Sequence, residues 1–160
     1  MIFVTLGSQK FQFNRLLEEI DSLVEEEVIS DKVFAQTGYS DYKPKNYQYK
    51  KFLNHDEFAE MEGKADIVVT HGGTGAIIGA VKKGKKVIAV PRKAKYGEHV
   101  DDHQIQLIEQ FHEMELIYSC NDVQELKTAI KEVQKKKYKK YQSNTKVIID
   151  SIEKFLIGMQ

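Results

Sequence analysis

Short apolar runs alternate with amphipathic stretches along most of the chain. The runs are rich in β-branched residues, and several end at glycine or proline, which is typical of buried strands. Six segments predict strands, at 2–7, 32–38, 47–53, 66–71, 86–91 and 116–120. The segment 47–53 differs from the others because it is predicted as a strand from the alternation of its apolar and polar positions.

The stretches between these runs have helical periodicity. They predict helices at 13–26, 54–65, 76–84, 101–111, 122–138 and 143–155. Asn54 or Asp56 is the expected N-terminal cap of the second helix, and Asp122 that of the fifth. Strands alternating with helices predict an α/β fold, a single Rossmann-like, doubly wound, mainly parallel sheet. We expect one domain over residues 1–160, with a C-terminal helical segment at about 140–157.

Composition supports a globular domain that is stabilised by packing, without disulfides or structural metals. The chain has 160 residues, 41% of them hydrophobic and 30% charged. Cys120 is the only cysteine, which excludes an internal disulfide and predicts a small buried hydrophobe in a reducing compartment. No apolar run approaches the roughly 18 residues of a membrane span, and no signal sequence is recognisable, so we expect a cytoplasmic protein.

Charge is balanced overall but unevenly distributed. Residues 1–80 carry 8 Lys/Arg against 13 Asp/Glu, whereas residues 81–160 carry 16 against 11. Seven lysines and one acid lie within 127–140. Such a segment either meets an anionic bilayer or is a solvated helix end. The basic excess is local and no nucleic-acid module is present, which argues against duplex DNA binding.

The motif THGGTG at 70–75 carries the most informative chemistry. It follows an apolar strand and precedes a helix, the place where parallel sheets bind ligands. Glycines let the backbone approach a ligand, and free amides at the helix start favour phosphate; the alternative is a tight turn without a ligand. The lysine of a Walker A loop is missing, and Gly73, Gly75 and Gly79 do not have dinucleotide-motif spacing.

Two further turns contribute polar groups at the same predicted edge. TLGSQ at 5–9 offers the Gly7 amide and the Ser8 hydroxyl, although it also fits an ordinary connection. YGEHVDDHQ at 96–104 places acids, histidines and Gln104 at a predicted helix start, as a polar lip for a sugar. His99 and His103, four residues apart, are a weaker candidate metal pair, and we predict no metal site.

These motifs, in this order, resemble the C-terminal half of inverting GT-B glycosyltransferases of the MurG type, family 28. The resemblance extends to the small Alg13-like and PssE/Cps14G-like subunits. It covers nearly the whole chain and rests on four segments: FVTLGSQKFQFNRL, ADIVVTHGGTGAI, KKVIAVPR and DDHQ.

The resemblance implies a donor site for a UDP-sugar substrate, with no cofactor. The residues implied to face the diphosphate are His71, Gly72, Gly73, Thr74 and Gly75. Gly7 and Ser8 would close on the donor, and Gln104 with Asp102 would meet the sugar. Relatives often have a ribose-binding acid at the position of Gly79; either Glu98 replaces it or the donor is held more loosely. No residue is assigned as the catalytic base.

Because the chain matches one of the two GT-B domains, the resemblance implies a split enzyme. Its partner would be a membrane-associated Alg14/PssD-like subunit that recruits a lipid-linked sugar acceptor and brings the chain to the inner face of the plasma membrane. The implied reaction is hexose transfer, with galactose in the nearest relatives, in capsular or exopolysaccharide synthesis. The alternatives are a non-catalytic enhancer subunit and a complete small enzyme acting on another nucleotide.

Overall fold

A computed structural model describes residues 1–99, 101–142, 147, 148, 150, 151, 153 and 154. Its six strands form one sheet in the order β3-β2-β1-β4-β5-β6, and every pairing is parallel. The strands are β1 Ile2–Thr5, β2 Val33–Gln36, β3 Gln48–Lys50, β4 Ile67–Thr70, β5 Lys86–Ala89 and β6 Tyr118–Ser119. The order reverses between β1 and β4, as in a doubly wound sheet. The predicted fold class is therefore confirmed.

Up to residue 142 the described chain has five α-helices, of which the first four lie between strands and the fifth follows β6. They are α1 Asn14–Glu25, α2 His55–Lys64, α3 Thr74–Lys82, α4 His103–Glu113 and α5 Leu126–Glu132. Short 3-10 turns occupy Ala94–Tyr96 and Val123–Glu125. Within the described residues, no helix is long and apolar enough to cross a bilayer.

The alternation of side chains along each strand divides the core between the two faces of the sheet. In β1, Ile2 and Val4 point to one face and Phe3 points to the other. The first face is covered by α1 and α5, and the second by α3 and α4 with a contribution from α2. Because both faces are covered, β1 and β4 contain only buried residues, which explains their continuous apolar sequence.

Helix boundaries follow local capping chemistry. Asn54 caps α2: its side chain accepts a hydrogen bond from the Glu57 amide at 2.8 Å, and the Glu57 carboxylate accepts from the Asn54 amide at 3.1 Å. Asp122 and Glu125 form a similar box, but it begins a 3-10 turn. The α-helix after that turn ends at Glu132, short of the predicted 138.

The last predicted helix falls mostly outside the described residues. Residues 147, 148, 150, 151, 153 and 154 are helical. Of the apolar residues at 147, 148, 152, 155 and 156, Val147 is 65% exposed and Ile148 is 42% exposed. The other three, at 152, 155 and 156, lie outside the described residues. Cys120 is buried in the core beside β6, as predicted.

Candidate functional site

A cleft of about 530 Å³ opens at the carboxyl edge of the sheet, where β1 and β4 end. Four chain segments line it: the turn after β1, the glycine-rich turn into α3, the loop leading into α4 together with the start of that helix, and the helical residue Glu153. The lining residues are Gln9, Gly72, Gly73, Thr74, Gly75, His99, Asp101, His103, Gln104, Leu107 and Glu153. The position matches the rule that parallel sheets bind ligands where the strand order reverses.

The amino end of α3 opens into this cleft with uncapped amides. Gly73 is the N-cap residue, and no side chain caps the helix. The first helical hydrogen bond runs from the Ile77 amide to the Gly73 carbonyl at 3.1 Å. The amides of Thr74 and Gly75 precede that bond, and both residues line the cleft. Free amides at a helix start carry partial positive charge, so this end of the cleft suits an anion.

The glycines of this turn, and Gly7 in the turn after β1, differ in what a side chain at each position would contact. Gly72 has φ 97°, and a Cβ there would lie 2.5 Å from Cδ1 of Ile108. At Gly7 and Gly73, a Cβ would lie 2.7 and 2.8 Å from Nε2 of His71. Only at Gly75, among these four, would a Cβ meet no atom within 4 Å. Three of these glycines therefore make room for neighbouring side chains, and Gly75 is the one that leaves open space in the cleft.

His71 lies beneath the turn rather than on the cleft surface. It is 4% exposed, and its ring occupies the gap between Gly7 and Gly73. Burial, followed by the nearby charges of Arg92 and His99, lowers its pKa to about 3, so the ring is neutral near pH 7. Its Nδ1 atom lies 2.9 Å from Nη1 of Arg92.

Arg92 was not predicted as a site residue, yet it is one of the largest fully buried side chains. Its Nη2 atom donates to the carbonyls of Leu6 and Phe11, both at 3.0 Å. It therefore ties the turn after β1 to the glycine-rich turn through His71. A cationic residue immediately after a buried strand was the available sequence signal, because a charge there needs a built environment.

Glu98 does not line the cleft. It is fully buried, and its two oxygens accept from Nε and Nη2 of Arg15 at 2.7 and 2.9 Å. The Lys93 amide donates to it as well, at 2.9 Å. These contacts join the loop before α4 to α1. Both oxygens of the Glu98 carboxylate are hydrogen-bonded inside the protein, which argues against the ribose-binding role that the resemblance left open for Glu98.

Arg15 also joins Asp122 to this buried network. Its Nη1 atom lies 2.8 Å from the Asp122 carboxylate, which Lys93 Nζ approaches at 3.3 Å. Burial opposes ionisation of Asp122, but the hydrogen bond from Arg15 and the other contacts outweigh it and lower its pKa to about 2. These contacts hold the chain at Lys93 and Glu98, next to the residues His99 and Asp101 that line the cleft.

The polar lip itself is only partly as predicted. Gln104 lines the cleft, and its Oε1 atom is buried with no described hydrogen-bond partner. The same holds for Nδ1 of His103. Asp102 is exposed; its Oδ1 accepts from the Ala94 amide at 3.1 Å, and it does not line the cleft. Asp101 lines the cleft in its place.

The turn after β1 reaches the cleft through Gln9. Gly7 has φ 72° and borders His71, whereas Ser8 is exposed and does not line the cleft. The two glycine turns therefore border one cleft, although different residues of the first turn face it. As for metals, the described residues contain no group of three or more His, Cys, Asp or Glu side chains placed to hold an ion.

Comparison with known proteins places these features in a family. The family profile of the glycosyltransferase family 28 C-terminal domain matches residues 1–156. The human UDP-N-acetylglucosamine transferase subunit ALG13 is 25% identical over 126 residues, covering 74% of this chain and 11% of that protein. The Kluyveromyces lactis subunit of the same name is 29% identical over 69 residues, covering 43% of this chain and 33% of that protein.

Solved structures agree on the fold. The NMR structure of ALG13 has a TM-score of 0.63 at 17% identity, covering 98% of this chain and 94% of that chain. The crystal structure of the glycotransferase of kitacinnamycin has a TM-score of 0.61 at 16% identity, covering 97% of this chain and 38% of that chain. The chain therefore spans a third or less of the two curated relatives compared, and 38% of the kitacinnamycin enzyme.

Proposed function

The chain belongs to the glycosyltransferase family 28 C-terminal domain family and is Alg13-like; on that premise we propose that it is the donor-binding catalytic subunit of a two-component inverting glycosyltransferase. The donor is a UDP-sugar carrying a hexose, galactose in the most specific form of the proposal. The acceptor is a lipid-diphosphate-linked sugar in capsular or exopolysaccharide synthesis.

The observation that carries this proposal is the uncapped start of α3 inside the cleft. Thr74 and Gly75 offer amides to a diphosphate, and the positive end of the helix dipole favours its charge. Gln104 and His103, whose buried polar atoms have no described partner, are suited to hydrogen-bond sugar hydroxyls. The cleft of about 530 Å³ lies within the usual range for small-molecule sites.

The proposed chemistry is electrostatic stabilisation of the leaving group. As the bond from the anomeric carbon to the diphosphate breaks, negative charge grows on the departing oxygen. Preorganised amides at the start of α3 stabilise that charge more in the transition state than in the ground state, which accelerates transfer. The acceptor hydroxyl attacks from the opposite side and gives inversion; its proton goes to a general base, for which we name no residue.

The proposal assigns membrane contact to the partner, an Alg14/PssD-like subunit at the cytoplasmic face of the plasma membrane. A basic groove, lined among others by Lys82, Lys86, Lys139 and Lys140, lies where β5 begins, at the sheet edge opposite the cleft. The groove and the donor cleft therefore do not face one flat bilayer together. The exposed Val147 belongs to a surface that a partner would cover.

Calorimetric titration tests the proposal. UDP and a panel of UDP-sugars are titrated into the chain alone and into the chain mixed with its partner, with uridine as the control lacking phosphates. We expect UDP to bind and uridine to bind much more weakly, since the amides at the α3 start contact phosphate. Partner binding without any UDP affinity would instead favour a non-catalytic enhancer subunit.

A further inference from the structure

Arg92 is a buried cation with no ion-pair partner among the described residues. It is 1% exposed; its guanidinium contacts two backbone carbonyls and the His71 ring, and its Cζ atom lies 5.7 Å from the centroid of the Phe13 ring. Its Nε atom has no described hydrogen-bond partner. The carboxylate of Glu98, which acts on it through space, is hydrogen-bonded to Arg15 and the Lys93 amide. A buried charge without a counter-ion is costly and calls for an explanation.

The contact with Arg92 determines where the proton of His71 lies. A guanidinium has only N–H donors, so the Nδ1 atom of His71, 2.9 Å from Nη1, must accept. The ring is neutral, as burial and the Arg92 charge hold its pKa near 3. The single ring proton is therefore on Nε2.

Nε2 is directed at the gap between the two glycine turns. It lies where side chains on Gly7 and Gly73 would otherwise be, at 2.7 and 2.8 Å from those Cβ positions. Gly73 is also a wall of the cleft and the N-cap of α3. Nε2 therefore lies against Gly73, the residue that precedes the Thr74 and Gly75 amides at this end of the cleft.

We propose that Arg92 is a positioning residue: it holds His71 as the Nε2–H tautomer and directs that donor, with the positive charge of Arg92 behind it, at the diphosphate of the bound nucleotide. The identity of the ligand rests on the proposed function, whereas the tautomer of His71 is a property of the free protein. This arrangement explains both why Arg92 makes no direct ion pair among the described residues and why positions 7 and 73 are glycines. The diphosphate supplies the counter-charge, and glycine at both positions leaves room for the ring.

A purely structural role for Arg92 makes a different prediction. As a brace, Arg92 would only hold Leu6 and Phe11 against the core, and the tautomer of His71 would be irrelevant to binding. The two roles separate in the ring nitrogen signals of His71, because protonated and unprotonated ring nitrogens have very different ¹⁵N shifts. Stability alone does not separate them.

The experiment is a long-range ¹H–¹⁵N correlation spectrum of the histidine-labelled full chain at pH 7, with and without UDP. His71→Gln assigns the His71 signal, and His55, whose side chain is 98% exposed, is the internal control for a ring free to exchange tautomers. We expect one tautomer for His71, protonated at Nε2, and a shift of that nitrogen on adding UDP. A proton on Nδ1, a tautomer mixture or a charged ring overturns the proposal.

Arg92→Met supplies the second arm. We expect the single tautomer to be lost and the Kd for UDP to rise roughly 10- to 100-fold, the loss expected for charge-assisted hydrogen bonding. An unchanged tautomer and Kd in the folded variant overturn the proposal; if the variant does not fold, the wild-type spectra decide. UDP binding without any response at Nε2 refutes this inference but not the proposed function. No binding to wild-type protein refutes the proposed function, while the free-protein spectrum still reports the tautomer.

Discussion

Replacing Gly75 tests the diphosphate cradle with the least damage to the fold. A Cβ at Gly75 meets no atom within 4 Å, and the residue is helical with φ outside the left-handed region. Helix propensity favours alanine over glycine by about 1 kcal/mol, with valine between them. Gly75→Val should therefore change the free energy of unfolding by less than about 1 kcal/mol.

Binding should respond much more strongly than stability. The valine side chain would project into the cleft beside the Thr74 and Gly75 amides and prevent close approach of a phosphate. Loss of one hydrogen bond to a charged group is worth about 1.5–3 kcal/mol, which weakens the Kd for UDP roughly 10- to 150-fold. Gly75→Ala should give a smaller loss in the same direction.

The assay pairs calorimetric titration of UDP with urea unfolding of each variant. Gly63→Ala is the matched control: Gly63 is also helical, lies in α2, does not line the cleft, and its Cβ would meet no atom within 4 Å. It should gain stability and keep wild-type affinity. Wild-type affinity in folded Gly75→Val would refute the reasoning. Gly73→Val would be less informative because it would also displace the His71 ring.

Three further predictions concern stability and reactivity. Asn54→Ala removes the α2 capping box and should lower the free energy of unfolding by about 1 kcal/mol in urea titration; no loss would contradict the cap. Cys120, buried with its pKa raised to about 12 by burial and then by Glu125, should react with thiol reagents at pH 8 only when the protein unfolds, and rapid labelling of folded protein would count against its burial. His71, with an ordinary pKa of 6.5 lowered to about 3, binds its proton more readily when unfolded, so stability should fall as the pH drops from about 6.5 toward 3, by up to about 4 kcal/mol. His71→Gln should flatten that dependence, and identical pH profiles would show that the buried ring does not cause it.

The fold was predictable because its determinants are local. Apolar runs such as the one at 67–69 identify strands buried on both faces, and the resulting β4 is buried throughout. The capping box at Asn54 is visible as two residues three apart. Where local signals compete, prediction weakened: the lysine-rich segment continues a helical pattern, yet α5 ends at Glu132.

The site was less predictable because its contacts join distant parts of the chain. Glu98 and Arg15 are 83 residues apart, and no spacing rule reveals that they pair. The glycines of the motif were interpreted as room for a ligand, whereas Gly73 makes room for His71 and Gly72 for Ile108. The position of Arg92 after a buried strand was a signal in the sequence, but its contact with His71, 21 residues away, is visible only in the fold.

An amide ¹H–¹⁵N NMR titration of the full chain with UDP tests the central claim most directly. The account predicts that the largest shifts fall on the amides of Thr74 and Gly75, with a further response at Gln104 when a UDP-sugar replaces UDP. Shifts centred on the basic groove around Lys86 and Lys139, at the opposite edge of the sheet, would contradict it, as would a spectrum that UDP leaves unchanged.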